Sequence, residues 1–330
     1  MTETTFKQHL EAISVLQWVL TFLIMGFSFA LLFIYLMFTS LWIIPVVYGT
    51  WLFFDWNTPE QGGRRFDWVR RWAVWKHHRD YFPIKMVKTV DLSPERNYVF
   101  GYHPHGIICA GAFSCFSTEA TDFTTYFPGI RPCLATLAGL FRLPVYRDYI
   151  MSAGMCPVSK PSLQYLLSRN GTGNAVVIVV GGAAESLNCS PGQHQVTLKN
   201  RKGFVRLALE NGADLVPVYA FGENEIFQQV IFEEGTWKRS LQLKFQKYIG
   251  FAPCLFKGEG LLSNKIWGLL PYRKSITTVV GRPVSVTRIT KPSEEEVNKY
   301  HILYMEALKK LFNEHKVSCG LPESHELTIV

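Results

Sequence analysis

Residues 12–54 form 43 consecutive positions without a single Asp, Glu, Lys or Arg, most of them apolar. A bilayer-crossing helix needs roughly 20 such residues, so the stretch has the length for two. Thr39-Ser40, followed by Pro45, supplies a break inside it. The pattern predicts a transmembrane helical hairpin, with helices near residues 15–36 and 40–55. Trp42, Trp51 and Trp56 suit aromatic anchoring at the bilayer surfaces. A re-entrant element and a buried core helix are the other readings of the same residues. A cleaved signal peptide is excluded by the length of the run and by its flank, where Lys7 faces Glu3 and Glu11.

Immediately downstream, residues 64–79 carry six Lys or Arg against one acid, Asp67. Basic residues flanking a membrane segment favour the cytosolic side, and a hairpin returns the N-terminus to that side too. The predicted division is a short cytosolic tail over 1–11, a membrane hairpin over 12–56 and a cytosolic-facing domain over 57–330. Trp68, Trp72 and Trp75 interleave with the basic residues at helical spacing, as a segment lying on a membrane would show. Seven cysteines without a CxxC pair fit a reducing compartment rather than a disulfide framework. The net charge of +8 comes with no zinc-finger spacing or nucleic-acid module, so nucleic acid is excluded as a partner.

Beyond residue 80 short apolar runs alternate with helical patterns, the signature of an α/β domain with a mixed sheet. Strands are predicted at 98–100, 175–180, 215–221 and 276–280, with Pro217 marking its strand as an edge or a bulge. The last helix has a clear start, Ser293 and Glu296 at capping-box spacing. Val297, Tyr300, Tyr304, Leu308, Leu311 and Phe312 then share one face, a structural assignment.

Chemistry concentrates in Tyr102-His103-Pro104-His105-Gly106, directly after a predicted strand. Proline fixes the separation of the two imidazoles and Gly106 permits close backbone approach. An imidazole titrating near neutrality can take the proton of an alcohol as that alcohol attacks a thioester. A two-histidine metal site and a structural pair are the competing readings, the first lacking a third ligand at the usual spacing. After the strongest β-branched run comes Gly181-Gly182-Ala183-Ala184-Glu185. Its small residues let backbone amides approach an oxyanion or a phosphate, and Glu185 could organise the loop or pair with Arg201. Lys199, Arg201, Lys202 and Arg206 form a basic cluster at a predicted helix start, suited to phosphate groups. Glu223 and Asn224 follow another strand and are candidates for the polar end of an acceptor. No metal ligand set is assigned.

These blocks together resemble the diacylglycerol acyltransferase type 2 family, which includes monoacylglycerol and wax-alcohol acyltransferases. The likeness runs over essentially the whole chain. It includes Phe54-Asp55-Trp56-Asn57-Thr58-Pro59, Gly62-Gly63-Arg64-Arg65, His103-Pro104-His105-Gly106 and Ser117-Thr118-Glu119-Ala120, then Gly181-Gly182-Ala183-Ala184-Glu185-Ser186, Arg201-Lys202-Gly203-Phe204 and Phe221-Gly222-Glu223-Asn224-Glu225. The resemblance implies a multi-pass endoplasmic-reticulum enzyme with its catalytic part facing the cytosol and with lipid-droplet association. It implies acyl-CoA as co-substrate, no tightly bound cofactor and a membrane-dissolved hydroxylated lipid as acceptor. Diacylglycerol is the expected acceptor, with a long-chain alcohol or monoacylglycerol as alternatives; a homo-oligomer is left open. His105 is the preferred base and His103 the other candidate. Other glycerolipid acyltransferases carry a carboxylate shortly after the histidine; here that position is Ala110, which makes Glu119 the candidate to orient the imidazole. The chain departs from the family at Met25, commonly leucine, and at Lys257-Gly258-Glu259-Gly260, commonly His-Gly-Arg-Gly.

Overall fold

The computed structural model describes residues 3–251, 253–260 and 268–330. Met1 and Thr2 of the predicted tail lie outside the described residues. The apolar stretch begins in one long helix. Its segment Glu3–Leu20 passes through a π-helical turn, Thr21–Met25, into Gly26–Leu36. Among the described residues this is the one helix long and apolar enough to cross a bilayer, over Phe6–Leu36. Its 31 residues extend about 46 Å, more than the roughly 30 Å of hydrocarbon. The surplus is used in the domain. Val15, Trp18 and Val19 are buried in the core, and Ser14 Oγ donates to Val74 O at 2.6 Å. Beyond Gly26 the surface is bare and apolar, with Phe27, Leu31, Ile34, Tyr35 and Phe38 exposed.

The second predicted crossing is shorter than expected. Ile43–Phe54 has 12 residues, about 18 Å, which cannot span the hydrocarbon alone. It folds back on the first helix, with the rings of Phe33 and Tyr48 4.9 Å apart, and it is tied to the domain. Tyr48 donates to Asp148 Oδ2 at 3.1 Å and accepts from Val145 N at 2.8 Å. Asp55, just past its end, pairs with Arg64 and Arg147. The basic flank is likewise largely spent inside the fold: Arg65 pairs with Asp67, Arg70 with Glu119 and Arg79 with Asp80. Arg71 and Lys76 remain exposed, without an ion pair among the described residues. The predicted surface helix is broken into Asp67–Arg70 and Ala73–Tyr81. Trp75 turns inward, donating to Val69 O at 2.7 Å, while Trp68 and Trp72 stay exposed.

The domain is built on a seven-stranded sheet. In chain order its strands are β1 (Lys85–Lys88), β2 (Tyr98–His103), β3 (Arg131–Thr136), β4 (Cys156–Pro157), β5 (Asn174–Val179), β6 (Asp214–Phe221) and β7 (Thr277–Val280). Their spatial order is β1-β7-β6-β2-β5-β3-β4, and only the β6–β7 pairing is antiparallel. Helices cover both faces, so β2, β5 and β6 are buried almost throughout, as parallel strands must be. The period-2 pleat divides β2 between two cores. Tyr98, Phe100 and Tyr102 join the cluster that includes the N-terminal helix. Val99 joins the cluster built on Gly203–Asn211 and Glu294–His315.

Pro217 is not at an edge, because β6 is flanked on both sides. Its missing N–H falls at a gap on the β7 side, between the ladder of Val218–Phe221 and the bridge from Leu215 N to Val284 O. The capping box at Ser293 and Glu296 is present and opens the helix Glu294–His315. All seven cysteines are free.

Candidate active site

β2, β5 and β6 are neighbouring parallel strands, so their carboxyl ends meet on one edge, the usual place for a site in an α/β sheet. Residues 104–106 follow β2, 180–186 follow β5 and 222–224 follow β6, which brings three distant sequence blocks together.

The two histidines separate at once. His103, the last residue of β2, is fully buried on the side of the C-terminal helix. Its Nε2 is 2.9 Å from Tyr304 Oη, and that hydroxyl is also 3.0 Å from Gly101 O. Burial lowers its pKa to about 3, so it stays a neutral ring packed in the core. His105 lies past the strand end and lines a cavity of about 230 Å³. Its Nδ1 is 2.7 Å from Ser186 Oγ and 3.0 Å from Gly106 O. A carbonyl only accepts, so the bond to Gly106 puts the proton on Nδ1. Ser186 then accepts from the ring and passes its own proton toward Gly182 O at 3.4 Å. Nε2 keeps its lone pair; among the described residues its polar neighbour is Cys109 Sγ, at 3.9 Å. Burial lowers the His105 pKa below the ordinary imidazole value, which keeps the ring neutral and able to accept a proton.

Two buried carboxylates hold the loop. Glu185 Oε1 accepts from His105 N and Oε2 from Thr197 N, both at 2.6 Å. Glu223 Oε1 accepts from Ala110 N at 2.7 Å, and Oε2 from Gly111 N and Tyr102 Oη at 2.9 Å. Burial raises each to about 7, against the opposing pull of those hydrogen bonds. Gly106 has φ +62°, and a Cβ there would come within 2.9 Å of Glu223 Cγ, so conformation and space both require glycine. A Cβ on Gly181 would meet Glu185 Oε2 at 2.1 Å. Gly182 lines the cavity beside His105, and Pro104 is buried between the two rings in sequence.

Other predicted residues lie elsewhere. Glu119 does not orient His105. It pairs with Arg70 at 3.1 Å, and its second oxygen takes Thr124 N and Oγ1 at 3.2 and 3.0 Å. The charge that needs it is Arg70, fully buried and lowered to about 10 by that burial. The position beside the imidazole belongs to Ser186. Arg206 turns away, donating to Pro292 O at 3.0 Å and pairing with Glu294. Arg201 stays exposed with Nη2 3.4 Å from Gly181 O. Lys202 sits at the N-cap of Gly203–Asn211. Asn224 lines a small polar crevice with Glu185 and Thr197, its Nδ2 3.1 Å from Gln193 O. It does not line the His105 cavity.

Sequence reasoning passed over Ser186, Cys109 and Tyr304. Ser186 had a signal, one residue after Glu185 and with a hydroxyl. Cys109 follows His105 by four residues, its Sγ 3.5 Å from Nδ1; burial raises its pKa, so it is held as a thiol rather than a thiolate nucleophile. Tyr304 looked like one more apolar position on a packed helix. Among the described residues no group of three or more His, Cys, Asp or Glu is placed to hold a metal ion.

The cavity has apolar walls. Ile107, Leu134, Leu137, Leu140 and Ile150 line it, and Trp18, Thr21 and Phe22 of the N-terminal helix form part of its boundary. His105 therefore shares one space with the helix that continues into the bare apolar segment. A profile described as "Diacylglycerol acyltransferase" matches residues 34–330. The chain is 59% identical over 329 residues to diacylglycerol O-acyltransferase 2 of Homo sapiens, covering 100% of this chain and 85% of that protein. It is 58% identical over 329 residues to 2-acylglycerol O-acyltransferase 3 of Homo sapiens, covering 100% and 96%. A solved 1-acyl-sn-glycerophosphate acyltransferase from Thermotoga maritima aligns with a TM-score of 0.40 at 12% identity, over 91% of this chain and 96% of that one. The chain is an acyltransferase and belongs to the diacylglycerol acyltransferase family.

Proposed function

We propose that the protein transfers a fatty acyl group from acyl-CoA to the free hydroxyl of diacylglycerol, yielding triacylglycerol and CoA. The observation that carries this reading is His105, with Ser186 and Gly106 on Nδ1 and Cys109 Sγ 3.9 Å from Nε2, in an apolar cavity bounded by the N-terminal helix. Nε2 takes the hydroxyl proton as the alkoxide oxygen bonds to the thioester carbon. The carbon–sulfur bond breaks, and the same proton passes to the departing CoA thiolate. Gly182 and Ala183 line the cavity next to His105, and their backbone amides are the donors available for the oxyanion. Glu185 and Glu223 act on backbone, as positioning residues. Arg201 and Lys202 supply positive charge for the CoA phosphates, and Arg206 supports the helix behind them.

A second acceptor has support, since identity to a 2-acylglycerol enzyme is within one percentage point of that to a diacylglycerol enzyme. The full chain, supplied with labelled acyl-CoA and with diacylglycerol, monoacylglycerol or a long-chain alcohol, should form triacylglycerol fastest. Free fatty acid as the sole product would instead indicate hydrolysis.

We further infer residence in the endoplasmic-reticulum membrane, with both chain ends cytosolic, and transfer to lipid droplets. The helix that ends at Leu36 and the shorter Ile43–Phe54 enter the bilayer together as a hairpin from its cytosolic face, both dipping into it and returning rather than crossing. Their exposed apolar surfaces and the domain contacts at Tyr48 and Asp55 support this arrangement. Protease protection of a C-terminal tag in sealed microsomes would overturn it.

A further inference from the structure

The helix Trp237–Ile249 turns its polar side inward and its apolar side outward. Arg239 and Gln242 are its buried residues. Arg239 Nη1 donates to Gln242 Oε1 at 2.9 Å and to Leu187 O at 3.4 Å, and its Nη2 donates to Asn188 Oδ1. Gln242 Nε2 donates to Pro253 O at 3.0 Å. Trp237, Leu241 and Tyr248, spaced by four and seven residues, share the opposite side. They are 72%, 60% and 81% exposed, with Phe245 and Ile249 exposed beside them. A helix facing water carries the reverse pattern, and an exposed apolar face of this kind marks an interaction site. Lys238, Lys244 and Lys247 are exposed among these side chains, and the helix contains no acid. Trp and Tyr interleaved with Lys is the composition of a helix lying at a phospholipid surface, rings at the headgroup boundary and ammonium groups on anionic headgroups. The surface also continues toward the bare apolar helix. Two residues beyond Ile249, the ring of Phe251 lies 5.8 Å from that of Phe22, and both residues line the His105 cavity.

We propose that the outward face of Trp237–Ile249 docks on an anionic phospholipid surface, the cytosolic face of the membrane that holds the N-terminal helices. The rings enter the boundary between headgroups and acyl chains, and Lys238, Lys244 and Lys247 meet phosphate oxygens. This contact stands apart from the acyl-transfer reading, since it is read without turnover. It still bears on the site. Arg239 fastens the helix to Leu187 and Asn188, directly after Ser186, whose hydroxyl is 2.7 Å from His105 Nδ1. Docking therefore holds the Phe22–Phe251 side of the cavity against the lipid, where a membrane-dissolved acceptor resides. A second copy of the chain is the competing occupant. An isologous contact places the same patch on both sides, which would set these lysines against one another with no acid in the helix to offset them.

The test reconstitutes the full chain in phosphatidylcholine vesicles, with and without phosphatidylserine, whose acyl chains carry a photoactivatable group. Labelled peptides are then mapped by mass spectrometry. Residues 237–249 should be labelled along with the N-terminal helices, and more strongly when phosphatidylserine is present. Labelling confined to residues 3–54 overturns the contact, and equal labelling without phosphatidylserine overturns the anionic surface. Trp237→Ser, Leu241→Ser and Tyr248→Ser combined should cut labelling of 237–249 roughly tenfold. Labelling of the N-terminal helices and the unfolding temperature should stay unchanged, because all three side chains are exposed. Undiminished labelling of 237–249 in that variant overturns the docking face. So does a wild-type dimer in detergent that the same substitutions dissociate, which assigns the face to a second copy.

Discussion

His103 and His105 are separated by one proline, yet the two faces of the sheet give them opposite surroundings. His103 still obeys the pleat of β2 and falls on the side of Val99, where the helix Glu294–His315 seals it. His105 comes after the last paired residue and is aimed by loop contacts into the cavity. The first ring meets a phenol and no open space; the second meets a serine and keeps one nitrogen free. The comparison teaches that a shared motif divides its labour at the strand end: the pleat would keep positions two apart on one face, and only the turn after His103 separates the rings. One histidine fastens the strand end to the core, and the other faces the cavity.

The largest test of that division is a pair of substitutions. His105→Ala should reduce ester formation by about 10²–10⁴-fold, the usual contribution of a positioned acid or base, while thermal unfolding stays near wild type. His103→Ala should do the reverse, costing about 1–3 kcal/mol of stability as Tyr304 loses a buried partner, with activity per folded molecule far better preserved. Comparable turnover losses in two equally stable proteins would erase the distinction. Because burial depresses the His105 pKa, the acidic limb of the wild-type rate profile should lie below pH 6.5.

Ser186→Ala sharpens the same contrast at a smaller scale. It leaves the proton donor Nδ1 with Gly106 O and the weak acceptor Cys109 Sγ, and kcat should fall roughly tenfold with little change in KM. Glu119→Gln should instead show itself in expression and unfolding temperature, because the buried Arg70 loses its counter-charge. A kcat effect of Glu119→Gln exceeding that of Ser186→Ala would restore the carboxylate to the imidazole.

The paired carboxylates predict a pH signature in stability. Glu185 and Glu223 sit at about 7 in the fold against an ordinary 4.5. Between those values the folded chain holds protons that the unfolded chain has released, so stability falls as pH rises through the window and levels off above it. Glu223→Gln should remove about half of that slope, since one of two similar groups no longer titrates. An unchanged slope would show that other groups produce it.

The smallest expected effects separate the basic residues. Arg201→Ala and Lys202→Ala should raise the KM for acyl-CoA a few-fold, about 3–10 times, with added salt narrowing the difference. Arg206→Ala should leave that KM alone and cost at most about 1 kcal/mol, as a partly exposed pair does. An increase in KM with Arg206→Ala equal to that with Arg201→Ala would return all three to one phosphate site.

Much of the fold was legible where one local rule governs. β-branched runs marked β5 and β6, Ser293 with Glu296 marked the last helix, and charge-free length marked the apolar N-terminus. β1 and β3 escaped notice because Lys85–Lys88 and Arg131–Thr136 are short and mixed in polarity, and sheet membership alone makes them strands. The site was half legible. The loop that bears His105 and the run that bears Glu185 stood out through glycine and histidine spacing. Glu119 misled because proximity in sequence stood in for proximity in space, and Arg70 claimed it from another segment.

The amino-acid sequence alone determined that this chain has an apolar N-terminus, an α/β domain and a pair of imidazoles at a strand end, since hydrophobic length, pleat and side-chain chemistry are local properties. Only the tertiary structure decided which histidine faces the cavity, which hydroxyl supports it and where the apolar helix stops belonging to the domain. Those choices follow from packing three parallel strand ends on one edge, where residues 80 or more positions apart become neighbours, and each buried polar group must find its partner among them.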